Sequence, residues 1–404
     1  MNASDLLSLL DGRFSSASAL RAITRLGPAG GPGDKIFPPT YSTDKPGVSR
    51  YAVEDRYLDG KPVKVVLIDS VQSQANRIEQ ALLEVVDAGE VDLPLLAVQV
   101  GGHGRVTTLE APHRIYDAIF RDSMLEGVRF RETELGRRVV EARFHNATAL
   151  YETCPTMLLF GGWDSHAGNV ERSAKLQRAM TSEIVGFDAI SGVRTKGRID
   201  PCGIKVGAGP VYRHRNSEEH WTLDPGQAET EGKGKTPRTY GKKGNPSEIG
   251  HSNIAPTITD EGGFTISEAR QMAVLSFPQL RRLRFPDPAT GEVLPGRDHA
   301  CRLVLAALAL YGLCLQAERG YDLRSRCLLI PLEAPSFELL GRTVNDVERL
   351  DIDVVTAREA LAMTLEWAEA QGARWRSGTT WLTAQPKLDE LVRLSALAAT
   401  PDEA

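Results

Sequence analysis

Three stretches of this sequence carry side chains able to hold an anion or a base. The first is Asp69-Ser70-Val71-Gln72-Ser73-Gln74-Ala75-Asn76-Arg77, which packs two serines, two glutamines, an asparagine and an arginine into the mouth of a strand-to-helix turn. A helix N-terminus offers unpaired N–H groups and a positive dipole end to phosphate. Serine and amide side chains bond sugar and phosphate oxygens, and Arg77 adds charge. The plainer reading of the same residues is a capped, solvated helix face, because Gln72, Asn76 and Glu79 lie roughly opposite the apolar stripe. Both readings stand at this point.

The second stretch is Phe160-Gly-Gly-Trp163-Asp164-Ser165-His166-Ala-Gly-Asn169, followed by Arg172, Lys175 and Arg178. A glycine-rich turn lets backbone approach a ligand, Trp163 can stack on a base, and three basic residues follow at helical spacing. A lone Trp is more often core. Asp164, Ser165 and His166 do not make a catalytic triad, since residues adjacent in sequence rarely converge as nucleophile, base and orienter. The third stretch, 232–244, carries Lys233, Lys235, Arg238, Tyr240, Lys242 and Lys243 with no acidic residue, which suits an arm that orders on nucleic acid. Gly234-Lys235-Thr236 imitates the end of a P-loop, but position 229 is Glu and no apolar strand precedes it. A fourth basic group, Arg281, Arg282 and Arg284, with Arg21 and Arg25, flanks expected strands and serves either salt bridges or one positive face. No two of the eight histidines stand at metal-ligand spacing, so neither a metal nor a cofactor is expected.

The elements that must position these groups are legible in part. Residues 19–26 read as a strand, and 50–58 and 63–68 flank Asp59-Gly60, a strong hairpin signal. The second hairpin strand runs into a helix at 71–87, capped by Asp69 or Ser70, with Val71, Ala75, Ile78, Leu82 and Val85 at helical spacing. A strand at 93–100 would complete a split βαβ sheet. Helices are expected at 112–122, 131–152, 298–318, 355–371 and 386–397, and strands at 157–163, 180–190 and 327–332. Between 208 and 262 the chain is polar and lacks apolar periodicity, too long for an ordinary connection, and reads as an insertion. The part from 333 to 404 reads as helical.

With 404 residues, 41% of them hydrophobic and 25% charged, the chain can bury a large core as one domain with insertions. Its net charge of −5 argues mildly against a nucleic-acid partner unless charge is locally segregated. Five cysteines without CxxC spacing indicate neither a disulfide framework nor zinc, and fit a reducing cytoplasm. No signal peptide is read at Met1–Asp11. The run Leu303–Leu315 falls short of the roughly 20 residues a bilayer span needs, so it reads as a buried helix and no membrane partner is expected.

Together, PPTY (38–41), VVLIDSVQSQANRIEQAL (65–82), HRIYDA (113–118), FGGWDSHAGN (160–169) and SFPQLRRLRF (276–285) resemble the backbone subunit of type I-G CRISPR complexes, formerly I-U, within the RAMP superfamily. The resemblance touches landmarks from about 19 to 330. It implies an α+β fold, an RRM-like (ferredoxin-like) palm with inserted finger and thumb elements and extra helices, with 208–262 as the candidate arm. It implies a non-catalytic protein that polymerises with copies of itself along a crRNA, presents it to a target DNA strand, and joins other Cascade subunits and a recruited nuclease-helicase. The RNA contacts expected on that basis are Arg21, Arg25, Ser70, Gln72, Ser73, Gln74, Asn76, Arg77, Trp163, Ser165, His166, Arg172, Lys175, Arg178, Arg281, Arg282 and Arg284, with Lys233, Lys235, Arg238, Tyr240, Lys242 and Lys243 on the arm. Asp69 is assigned to capping. Two alternatives remain: an endoribonuclease of the same superfamily using His166 or His103 as general base, and a phosphate-metabolite enzyme using the 69–77 turn.

Overall fold

A computed structural model describes residues 1–43, 49–164, 175–231, 236–343 and 345–398. Its main sheet is antiparallel. Strand β1 (Ala19–Pro28) follows helix α1 (Ala3–Arg13), and β2 (Val53–Leu58) and β3 (Lys61–Asp69) form the expected hairpin. Asp59 and Gly60 both have positive φ, 48° and 77°, as a two-residue hairpin turn with the right twist requires. Helix α2 (Val71–Asp87) runs from that hairpin and buries Ala75, Ile78, Ala81 and Leu82. Its cap is Ser70, whose Oγ accepts from the Ser73 N–H at 3.3 Å. Asp69, expected to share the capping, does not cap; it is fully buried and does other work.

The strand expected at 93–100 forms as β4 (Leu95–Val100) but leaves the main sheet. It pairs in parallel with β10 (Thr379–Ala384) in a separate five-stranded sheet. The place beside β1 is taken instead by a strand much later in the chain. The main sheet's further strands include β5 (Met180–Phe187), β8 (Ala269–Ser276) and β9 (Ser336–Leu340), and the order through these is β9, β1, β8, β5, β3, β2. Tyr321–Arg324, Cys327–Pro331 and Val347–Leu350 complete nine strands among the described residues, on the β1 and β9 side. Helix α3 (Pro295–Arg319) connects β8 to the far edge. Strand, helix, strand, strand, helix, strand is thus the order of β1, α2, β5, β8, α3 and β9. Both helices cover one sheet face, where Leu20, Ala22, Met180, Ala273 and Leu275 meet Ile78, Leu82 and the α3 side chains.

By length and composition α3 could cross a membrane, but almost all of its apolar stretch is buried, with helix α4 (Val354–Ala370) packed along it. The C-terminal part, expected to be helical, adds α5 (Pro386–Ala398) but also three strands: β9, β10 and Val347–Leu350. The expected strand at 157–163 is mostly a short helix, Thr156–Phe160, ended by Gly161. The expected helix at 131–152 is broken into Glu134–Val140 and Thr148–Thr153.

Between β5 and β8 the chain leaves the body as an arm. Its stem is a two-stranded ribbon, β6 (Arg194–Arg198) against β7 (Ile254–Thr259), with Ile190–Ser191 paired to Phe264–Thr265 at the base. The arm therefore begins well before residue 208.

One buried ion pair ties the Gly161 turn to α2. Arg114 donates Nε and Nη2 to the two carboxylate oxygens of Glu79, both at 2.6 Å, and Nη1 to the Gly161 carbonyl at 3.2 Å. Burial pushes the Glu79 carboxyl above its ordinary range despite the attraction of Arg114. Arg114→Ala leaves that acid buried without its cation and is expected to cost roughly 3–5 kcal/mol, whereas Glu79→Leu with Arg114→Leu recovers much of the loss. Thermal midpoints of the two variants check this order.

Candidate nucleic-acid interface

The polar turn at 69–77 divides into an inner and an outer half. Inside, the Asp69 carboxylate accepts from Gln74 Nε2 at 2.6 Å, Arg77 Nε at 2.9 Å and Arg324 Nη2 at 3.1 Å. Gln74 is fully buried and its Oε1 accepts from Ser182 and Gln271. Arg77 also donates Nη2 to the Leu323 carbonyl at 2.6 Å. These groups hold the sheet to the helix. Outside, Gln72 and Asn76 are exposed one helical turn apart, with Ser70 and Ser73 half-buried.

The second expected region does assemble a surface. Gly161 has φ 71°, and a Cβ there would stand 2.8 Å from the Leu176 carbonyl oxygen and 2.9 Å from the Arg178 amide, so a glycine is required. The close approach lets Gly162-Trp163 pair with Lys175-Leu176, which puts Lys175 directly across from Trp163. Trp163 is 56% exposed, and Lys175, Gln177 and Arg178 are exposed beside it. From the fourth basic group, Arg282 joins this patch: its Nη1 donates to Gln177 Oε1 at 3.1 Å, and its guanidinium lies 4.5 Å from the Phe144 ring centre. An exposed aromatic ring with Lys175 across from it, on a stretch that also carries exposed Arg178 and Gln177-bound Arg282, fits a stacked base with phosphate nearby. Ser165, His166 and Arg172 lie outside the described residues. His103 is exposed, in the turn after β4.

The other expected arginines have structural partners. Arg21 pairs with Glu338, and Arg25 with Glu268 and Glu333, on the sheet face opposite the helices. Arg281 donates to the carbonyls of Phe14 and Ala17 at 2.7 and 2.9 Å, and Arg284 pairs with the buried Asp298 at 3.0 Å.

On the arm, Arg238 faces Glu229 and Glu231, and Tyr240 lies under the Arg213 guanidinium. Lys242 and Lys243 are exposed, and their backbone N–H groups donate to Glu248 at 2.8 and 3.1 Å. Desolvation opposes ionisation of Glu248, yet the N–H groups of Asn245, Lys242, Lys243 and Gly244 hold it below the ordinary carboxylate range. The lysine turn is therefore shaped by the chain's own carboxylate. Lys233 and Lys235 lie outside the described residues.

The stem holds cations that sequence reading missed. In the ribbon Arg194 lies opposite Thr259 and Lys196 opposite Thr257, so these four share one face, while Ile258 opposite Thr195 faces the other way. All are exposed or nearly so, Ile258 at 72%. The signal was present as Arg194-Thr-Lys196-Gly-Arg198, basic at every second residue. Among the described residues, no cluster of His, Cys, Asp and Glu could hold a metal ion.

Residues 20–191, less than half of the chain, match the model of a family described as CRISPR-associated protein GSU0053. No curated protein matches the chain in sequence. Among solved structures, Csc2 of Thermofilum pendens aligns with 97% of this chain and 80% of its own at 12% identity, with a TM-score of 0.26, too low to imply a shared fold.

Arg281→Ala strips the donor from two backbone carbonyls and is expected to cost about 1–3 kcal/mol, whereas Lys175→Ala or Arg178→Ala is expected to stay within about 0.5 kcal/mol of the parent. Urea unfolding of the three variants separates cations that build the fold from cations that wait on its surface.

Proposed function

We propose that the chain is a non-catalytic, RNA-binding backbone subunit of a CRISPR interference complex of the type I-G kind, polymerised along a guide RNA. The match of residues 20–191 to a CRISPR-associated family carries this reading. The strand and helix order of β1, α2, β5, β8, α3 and β9 is consistent with an RRM-like palm, and the arm between β5 and β8 with a thumb. Arm and body form one chain unit, 1–404, in this reading.

The chemistry of the interface is that of backbone rather than base recognition. Lys175 lies across from Trp163, Arg178 is exposed just beyond it in sequence and Arg282 is held at Gln177, and Arg194 and Lys196 line the ribbon with two threonine hydroxyls. Cations and hydroxyls grip phosphate and sugar without distinguishing bases, and an aromatic ring stacks on any of them. Sequence choice then rests with guide–target pairing, as in RNA-guided systems generally. Exposed Gln72 and Asn76 offer further amide groups, and Lys242 and Lys243 further cations on the arm. Other complex subunits, the target DNA strand and a recruited nuclease-helicase are the remaining partners, in a cytoplasmic assembly.

Co-expression with a CRISPR array and candidate partner subunits, followed by purification through about 0.3 M salt, removes weakly held nucleic acid. Discrete guide-length RNA in a multi-copy particle is the expected outcome; a nucleic-acid-free monomer that also fails to bind added RNA overturns the reading. Arg194→Ala with Lys196→Ala is expected to weaken binding to all RNA sequences alike and to flatten the salt dependence by roughly one unit of slope per lost phosphate contact.

A further inference from the structure

A pocket of about 180 Å3 opens where α2 crosses the C-terminal end of α3, lined by Arg77, Gln80, Gln316, Arg319, Gly320 and Asp322. Its wall is dominated by donors. Arg77 spends Nε on Asp69 and Nη2 on the Leu323 carbonyl, and Arg319 gives Nη2 to Glu84 at 2.8 Å. A guanidinium carries five N–H bonds, so both arginines retain donors after these contacts. Gln316 is 2% exposed, its Oε1 accepts from Gln271 at 2.6 Å, and its Nε2 meets no acceptor. A buried amide N–H without a partner costs about 1–3 kcal/mol; Nε2 is closed to solvent in the unliganded chain, so an acceptor in the pocket relieves that cost once the side chain turns toward it.

We propose that this pocket is an oxyanion site that takes a phosphate group. The donors come from two crossing helices, Arg77 and Gln80 from one and Gln316 and Arg319 from the other, so they do not share a plane. A tetrahedral oxyanion presents oxygens in several directions, whereas a planar carboxylate does not. Asp322, exposed at the rim, would repel a fully ionised anion but accepts a hydrogen bond from the hydroxyl of monohydrogen phosphate or from a neighbouring sugar. The phosphate comes either from a free ion or from the backbone of a bound RNA. The proposal stands apart from the RNA reading, because the site is complete in one chain without nucleic acid.

The test is calorimetric titration of inorganic phosphate into the full chain stripped of nucleic acid, with acetate as the planar control. Saturable one-to-one binding of phosphate and not acetate is expected, weakened at least about tenfold in Arg319→Ala, a substitution at a partly exposed helix end. Gln316→Leu, close in size but lacking the amide, is expected to weaken it as well. Repeating the titration on the RNA-loaded protein distinguishes the sources: phosphate excluded from the loaded protein places an RNA phosphate in the pocket, and unchanged binding places the free ion there. Absence of saturable phosphate binding, or binding undiminished in both variants, overturns the proposal and leaves the pocket to water. RNA binding that persists alongside that result leaves the proposed function intact.

Discussion

The fold hangs on one carboxylate taken out of water. Asp69 ends the central hairpin strand with no exposed surface, and an ionised acid there is tolerable only if its oxygens are fully bonded. Three donors meet that need, and each belongs to an element that must be fixed. Gln74 and Arg77 come from α2, and Arg324 from the strand that follows α3. Gln74 passes the restraint on to Ser182 of β5 and Gln271 of β8, and Gln271 to Gln316 of α3. A continuous polar chain therefore runs beneath an otherwise apolar helix–sheet interface. Apolar side chains alone would allow the helices to slide on the sheet; a hydrogen-bonded network in a low dielectric permits one register.

That economy explains how an acidic protein can still present positive surface. Many arginines are consumed internally: Arg21 and Arg25 by glutamates on the open sheet face, Arg284 and Arg302 by the buried Asp298, Arg114 by Glu79. The net charge counts these as if they were available, and they are not. What governs a polyanion is the residue of cations without acids beside them, and Lys175, Arg178, Arg194 and Lys196 form no ion pair among the described residues. Segregation here is achieved by pairing most arginines rather than by gathering them.

Local signals were legible where one element decides its own geometry. Asp59-Gly60 specifies its turn through positive φ, and the apolar spacing of α2 specifies its buried face, so both emerged from sequence alone. Signals failed where a distant partner decides. Residues 157–160 are apolar enough for a strand, but Gly161 and the approach of 176–178 end them as a helical turn. Leu95–Val100 pairs on one edge with the adjacent 104–107, but its other partner lies some 280 residues later, which no local pattern reveals. The arginines were the hardest case, because an ion-paired arginine and one without an acid beside it are identical in sequence; only the fold separated Arg282, bonded to Gln177, from Arg281 on backbone carbonyls and Arg284 on Asp298. Arg194 and Lys196 were missed because the arm was read from its polar tip rather than from the two-residue period of its stem.

The stem also limits what the arm can be. A two-stranded ribbon alone is marginally stable in water, and this one is exposed on both faces. It is braced at the root, where Gly192 exchanges backbone hydrogen bonds with Gly262 and Gly263 and Lys35 Nζ donates to the Val193 carbonyl, and at the tip, where the buried Asp200 accepts from the amides of Cys202, Ile204 and Ser252. Between those braces no described residue covers Ile258 on one side or Arg194 and Lys196 on the other. The ribbon therefore offers two unlike faces, one carrying an apolar side chain and one carrying cations, and under the proposed function the cationic face is the one that meets RNA.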